Sequence, residues 1–216
     1  SYSTYSSVTY SAPGTKNVLL TITDANGCTD TFNATVLVKE NPTAKIVNST
    51  SAVQCLRGNT YSFGSTGSSA AAASSIATYN WNFGSGASPA TSNAASVSSV
   101  KYTTSGVKKI VLTITDANGC TDTAEYNFNI KSQPQAVLSV SNASQCLIGN
   151  SFTIGAVGST AATGSTLNTY FWTFGTNSSV TSAGPTSSSA ANTISYSDTG
   201  KKKVQLIVTD ANGCKD

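Results

Sequence analysis

Five cysteines are the residues of this chain best suited to covalent chemistry, and they fall into two classes. Cys28, Cys120 and Cys214 each follow the string Asp-Ala-Asn-Gly, while Cys55 and Cys146 each sit in Gln-Cys-Leu-x-Gly-Asn. The two classes recur together along the chain, which reads as one disulfide per recurring unit in an oxidising compartment. The preferred pairing joins Cys55 to Cys120 and Cys146 to Cys214, and leaves Cys28 to a partner outside the 216 residues, which accounts for the odd count. A second pairing stays open. Bridged Cα atoms must lie within about 7 Å, and in a standard sandwich the first strand ends at the pole opposite the hairpin that precedes Cys120. Unless the Gln-Cys-Leu segment doubles back, the bond runs between neighbouring units, for instance from Cys55 to Cys214. A third reading leaves the cysteines as small buried thiols. Zinc is disfavoured, because successive cysteines are 26 or more residues apart and the chain has no histidine.

The other chemically capable residues have plainer readings. With no histidine, no serine can be built into a nucleophile triad, and neither a catalytic role nor a cofactor is expected. Asp24, Asp30, Asp116, Asp122 and Asp210 flank the Asn-Gly turns; calcium ligation is weighed against side-chain bonding to the turn backbone, and the second is preferred. Trp81 and Trp172 are read as core rather than as sugar-stacking platforms, because each lies in an alternating aromatic string. Asn33, Asn48, Asn142 and Asn177 begin glycosylation sequons, which chance supplies in a chain this rich in Asn, Ser and Thr. Lys108, Lys109 and Lys201 to Lys203 are read as charges on an exposed sheet edge that discourage association.

These residues are positioned by a repeat. Thr21 to Thr31 reads TITDANGCTDT, Thr113 to Thr123 reads the same, and Val208 to Asp216 reads VTDANGCKD. Asp24, Asp116 and Asp210 are 92 and 94 residues apart, and Trp81 and Trp172 are 91 apart. A period near 92 is too long for a solenoid and close to the roughly 100 residues of an immunoglobulin-like sandwich. The expected organisation is the C-terminal half of a repeat at 1–40, a complete repeat at 43–132 and a repeat lacking its last strand at 136–216. The linkers at 39–42 and 131–134 end in proline, which stiffens each junction, so an extended rod is expected.

The strands follow from alternation. Residues 108 to 115 place Ile110, Leu112 and Ile114 on one face; the next strand places Ala124, Tyr126, Phe128 and Ile130 on one face. The Asn-Gly pair between them predicts a type I′ hairpin turn. Tyr79, Trp81 and Phe83 point to one core, and Tyr170, Trp172 and Phe174 to another. Further strands are expected at 60–63, 97–102, 151–154, 194–196 and 8–10, making the chain all-β. The segments 64–77, 84–99, 155–168 and 175–192 carry small uncharged residues and read as loops, where specificity, glycans or lateral contacts would sit.

The string Tyr-x-Trp-x-Phe-Gly, a later Tyr and Gly, and then Lys-x-x-Leu-x-Ile-Thr-Asp-x-x-Gly resembles the PKD family of immunoglobulin-like domains. More narrowly, TDANGCTDT with an upstream Cys-x-x-Gly resembles the repeats of very long surface adhesins of Bacteroidetes, typified by the gliding-motility adhesin of flavobacteria and exported by type IX secretion. The acidic pair of the family's Trp-Asp-Phe-Gly-Asp-Gly is replaced by Asn82 and Ser85, and by Thr173 and Thr176 in the next copy. Asp122-Thr123-Ala124 resembles a Bacteroidetes O-glycosylation acceptor, which makes Thr123 the candidate. The resemblance implies an extracellular, cell-surface stalk acting in attachment and gliding. Its partners would be neighbouring repeats, other copies in a fibre, and a surface or polysaccharide. The alternatives are a sheath or surface-layer component, or spacer and substrate-anchoring modules of a secreted hydrolase. Composition agrees with a non-enzymatic surface role. Charged residues are 10% of the chain and net charge is +3, without a basic stripe to grip nucleic acid, and no run is long enough for a membrane span.

Overall fold

The computed structural model describes residues 7–180 and 190–216; the part of the 175–192 loop at 181–189 lies outside the described residues. Among the described residues, all regular secondary structure is strand. In chain order these are β1 (Gly14–Thr23), β2 (Thr29–Val38), β3 (Val47–Asn48), β4 (Val53–Cys55), β5 (Tyr61–Gly64) and β6 (Ile76–Asn82). β7 (Ala87–Ser88), β8 (Thr91–Ser92), β9 (Ser96–Tyr102), β10 (Gly106–Asp116) and β11 (Thr121–Lys131) follow. The last are β12 (Ser139–Val140), β13 (Phe152–Gly155), β14 (Leu167–Thr173), β15 (Ser178–Val180), β16 (Ala191–Tyr196) and β17 (Gln205–Asp210).

The middle of the chain builds two sheets, one ordered β4-β11-β10-β6-β8 and the other β3-β5-β9-β7. Period two drives their packing. Along β10, Ile110, Leu112 and Ile114 are fully buried while their neighbours are not. Trp81 and Phe83 stack at 5.7 Å, and Phe63 from the other sheet meets Trp81, Phe83 and Tyr126 at 6.5, 5.8 and 6.4 Å. Such rings carry most of the apolar area that holds a two-layer sandwich together. Trp81 also donates from Nε1 to the Ala94 carbonyl at 2.8 Å, so its one polar atom is satisfied. Gly84 follows Phe83 with φ of 76°, and a Cβ there would stand 2.8 Å from the Lys109 carbonyl oxygen, so the Phe-Gly pair admits no side chain.

Later residues repeat the plan with sheets β12-β13-β16-β15 and β14-β17. Trp172, Phe174, Ile154, Ile194, Tyr196, Leu206 and Val208 form one buried cluster. Chain contacts divide the molecule into one compact unit of residues 1–50, 61–100 and 109–127, and a second of 51–60, 101–108 and 128–216.

Three local expectations are corrected. The hairpin turn is not type I′: Asn26, Asn118 and Asn212 keep negative φ, and only Gly27, Gly119 and Gly213 are left-handed there. Gly119 N–H donates to the Asp116 carbonyl at 3.0 Å and Asp116 N–H to the Cys120 carbonyl at 2.9 Å. This is a type I turn closed by a left-handed glycine, the three-residue hairpin loop. Residues 8–10 form no strand, since their counterpart β9 is held by β5 and no such partner faces them among the described residues. Lys108 is not an exposed edge charge: it is buried, donates to Thr104 Oγ1 at 2.7 Å, and lies 5.6 Å from the Tyr102 ring. Lys202 does the same over Tyr196 at 5.2 Å and pairs with Asp198. Lys109, by contrast, is half-exposed and pairs with Glu125 at 2.5 Å.

Candidate functional site at the cysteine loops

Each hairpin presents its cysteine on a braced turn. Asp116 Oδ1 accepts the N–H of Asn118 and of Cys120, each at 2.9 Å. Asp24 does the same for Asn26 and Cys28 at 2.8 and 2.9 Å, and Asp210 for Asn212 and Cys214 at 3.0 and 2.9 Å. The carboxylates of the Asp-Ala-Asn-Gly-Cys strings are therefore spent on the backbone. Asp116 is 2% exposed. Burial pushes its carboxyl upward, but the hydrogen bonds it accepts, that of the Cys120 N–H foremost, outweigh that and hold it below its ordinary value of 3.8.

The Gln-Cys-Leu-x-Gly-Asn loops are braced equally well. Gln54 clasps Thr60, accepting its N–H at 2.9 Å and donating to its carbonyl at 2.8 Å; Gln145 clasps Ser151 at 2.8 Å in both directions. Asn59 donates to the Leu56 and Tyr102 carbonyls at 2.6 and 2.8 Å and accepts the Tyr102 N–H at 2.7 Å. Asn150 makes the corresponding three bonds to Leu147 and Tyr196 at 2.5, 2.8 and 2.7 Å. Gly58 and Gly149, at φ of 77° and 78°, supply the left-handed residue between them.

Within the second compact unit, Cys55 is bonded to Cys214, with Cα atoms 5.5 Å apart. The preferred pairing of Cys55 with Cys120 and Cys146 with Cys214 is thereby corrected in favour of the open alternative, Cys55 with Cys214. β4 runs parallel to β11 with Cys55 in register with Lys131, whereas Cys120 precedes the other end of that 11-residue strand. The strand spans roughly 35 Å, five times the reach of a disulfide. Cys28, Cys120 and Cys146 are thiols; Cys28 and Cys146 are exposed and Cys120 is partly covered, while bonded Cys214 is fully buried.

Two residues that the sequence reading passed over complete the junction. Arg57 Nη2 lies 2.8 Å from Asp216 Oδ1, and Asp216 Oδ2 accepts the Ala136 N–H at 2.9 Å. Asp122 plays the second part in the middle repeat, accepting the Ala44 N–H at 2.7 Å. The signal was the recurrence of Asp-Gly-spaced acids two residues after each hairpin cysteine at 30, 122 and 216. Trp81 and Trp172 are fully buried; Tyr79 and Tyr170 are half-buried, and Phe83 and Phe174 are buried. Thr123 is exposed, its Oγ1 3.3 Å from that of Thr113. Asn48, of the sequons, turns its carboxamide oxygen inward onto the Thr50 N–H and hydroxyl at 3.0 and 2.8 Å; Asn33, Asn142 and Asn177 are exposed.

The fold defined by these layers and braced loops is an all-β, immunoglobulin-like sandwich. A PKD domain is found at residues 39–130, where the family model matches. No curated protein matches the sequence. Among solved structures, the chain is similar to the PKD1 domain of the Vibrio cholerae metalloprotease PrtV, at 27% identity, covering 42% of this chain and 98% of that one, with a TM-score of 0.35. It is also similar to the PKD1 domain of Vibrio anguillarum Epp, at 25% identity over 43% and 96% of the two chains and a TM-score of 0.35. A third likeness is to carbohydrate-binding modules of the β-sandwich superfamily described as promiscuous in specificity. It has 15% identity over 80% of this chain and 55% of that one, with a TM-score of 0.39.

Proposed function

We propose that this chain is a stretch of the repetitive extracellular stalk of a long bacterial surface adhesin or filament, acting in attachment and in gliding motility. The observation that carries the reading is the recurrence of one braced cysteine hairpin three times at intervals of 92 and 94 residues, beside a disulfide that ties residues 159 positions apart. A bond of that kind holds consecutive repeats covalently, which suits a protein under load outside the cell, where disulfides persist. The PKD domain fits the same setting, since such domains serve as adhesion or spacer modules of secreted proteins. The protein is read as non-enzymatic, with the buried aromatics giving stiffness and the exposed loops facing the environment.

The test is immunogold electron microscopy of intact producing cells, with an antibody raised against residues 43–132. Gold tracking along thin surface fibres is the expected result. Gold absent from cells, with the antigen soluble in the medium beside a hydrolytic activity, would replace this reading with a spacer of a secreted enzyme.

A further inference from the structure

We propose that the Cys146 loop is a second docking site for a hairpin of this chain's own kind, and that Cys146 closes there the same disulfide that Cys55 closes with Cys214. The occupant is an Asp-Ala-Asn-Gly-Cys-x-Asp hairpin carried by another repeat, and a second copy of the chain supplies one at Cys28 and one at Cys120. The inference goes beyond the adhesin reading and does not depend on it.

The molecule holds two such loops, one occupied and one open. The Cys55 loop holds Cys214 in a disulfide. The Cys146 loop has the same Gln and Asn braces, with hydrogen bonds matching those of the occupied loop to within 0.1 Å at five comparable contacts. The loop is thus shaped for its partner before the bond forms, so ordering costs little at docking. The hairpin side is shaped in advance too, because Asp24 and Asp116 hold the N–H of Cys28 and Cys120 as Asp210 holds that of bonded Cys214. Apolar surface marks the open loop: Ile148 is 94% exposed and Leu147 42% exposed, beside the exposed Cys146 thiol. Ile148 occupies the place of Arg57, whose guanidinium meets Asp216; Asp30 and Asp122 are the counterparts of Asp216 on the two other hairpins.

Forming the bond removes two protons and two electrons from the Cys146 thiol and the hairpin thiol. A small-molecule disulfide, oxidised glutathione, accepts them and leaves as two thiols. The resulting contact is heterologous, loop to hairpin, so copies join head to tail rather than as symmetric pairs.

The 216-residue chain, incubated in a glutathione redox buffer and mapped by non-reducing proteolysis and mass spectrometry, tests this. The expected products carry Cys146 linked to Cys28 or Cys120 of a second copy, with Cys55–Cys214 intact. Cys146→Ser abolishes the covalent oligomers, and so does the double change Cys28→Ser and Cys120→Ser. Ile148→Arg, by restoring the partner that Asp216 has in Arg57, raises the rate of linkage by about 3-fold at low salt and less at high salt. Asp30→Asn with Asp122→Asn cancels that gain. Cys146 linked chiefly to Cys146, links spread over the three thiols in statistical proportion, or monomers carrying only glutathione adducts would each overturn the proposal.

Discussion

At the scale of single residues, the chain's few charges and amides are spent on bracing. Asn59 is buried and holds both backbone groups of Tyr102. Asn59→Ala strands those groups, and urea unfolding of the variant should show a loss of about 2–4 kcal/mol. Asp116 gives a pH signature. Its carboxyl is held below 3.8 by the turn amides against the upward push of burial. The bonds to the ionised form therefore stabilise the fold fully above the unfolded value and are lost as pH falls through the folded one. Urea midpoints measured from pH 6 to pH 2 should drop in the acid range, and Asp116→Asn should flatten that part of the profile while lowering stability at pH 7. A profile unchanged by the substitution would remove Asp116 from the account. These roles were half legible in the sequence. Asp before Asn-Gly pointed to side-chain bonding with the turn, yet the Asn-Gly dipeptide alone pointed to a type I′ turn. The structure resolves the conflict, because a carboxylate that accepts two amides favours a three-residue loop with one left-handed glycine.

Strands were the most legible elements, since period two needs no knowledge of distant partners. The burial alternation of β10 and β11 and the ring string of β6 follow directly from it. Pairing was not legible where a strand needs a neighbour: residues 8–10 have the right composition and no ladder. The same dependence sets a difference between two nearly identical hairpins. Val18, Leu20 and Ile22 on β1 occupy the places of Ile110, Leu112 and Ile114 on β10, but are exposed where the latter are fully buried. A two-stranded ribbon without a covered face is marginal in water. Amide hydrogen exchange should therefore be faster in β1 and β2 than in β10 and β11 by a factor of at least about 100, the ratio expected for some 3 kcal/mol of opening free energy. Equal protection would mean that another surface covers β1. The burial of Lys108 escapes the sequence for a related reason, as sequence shows its charge and not the Tyr102 ring beside it.

At the scale of the whole molecule, the repeat pointed to the all-β fold class, and the family model matches a PKD domain at 39–130, while the disulfide register depended on which loops meet. Two cysteine classes per period are compatible with a bond inside each repeat or between repeats, and only the register of β4 on β11 separates them. Closing a loop of 159 residues constrains the unfolded chain by up to about 5 kcal/mol in the chain-entropy model. Calorimetry with and without reductant should show the melting temperature falling by on the order of 10 °C. A melting temperature unmoved by reductant would remove the Cys55–Cys214 bond from the stability of the fold. The most direct test of the register is non-reducing peptide mapping of the native chain after thiols are blocked with an alkylating agent. From the monomer, isolated before any redox incubation, the expected result is one linked peptide pair joining Cys55 to Cys214, with Cys28, Cys120 and Cys146 alkylated. A linked pair joining Cys55 to Cys120, or Cys146 to Cys214, would contradict it.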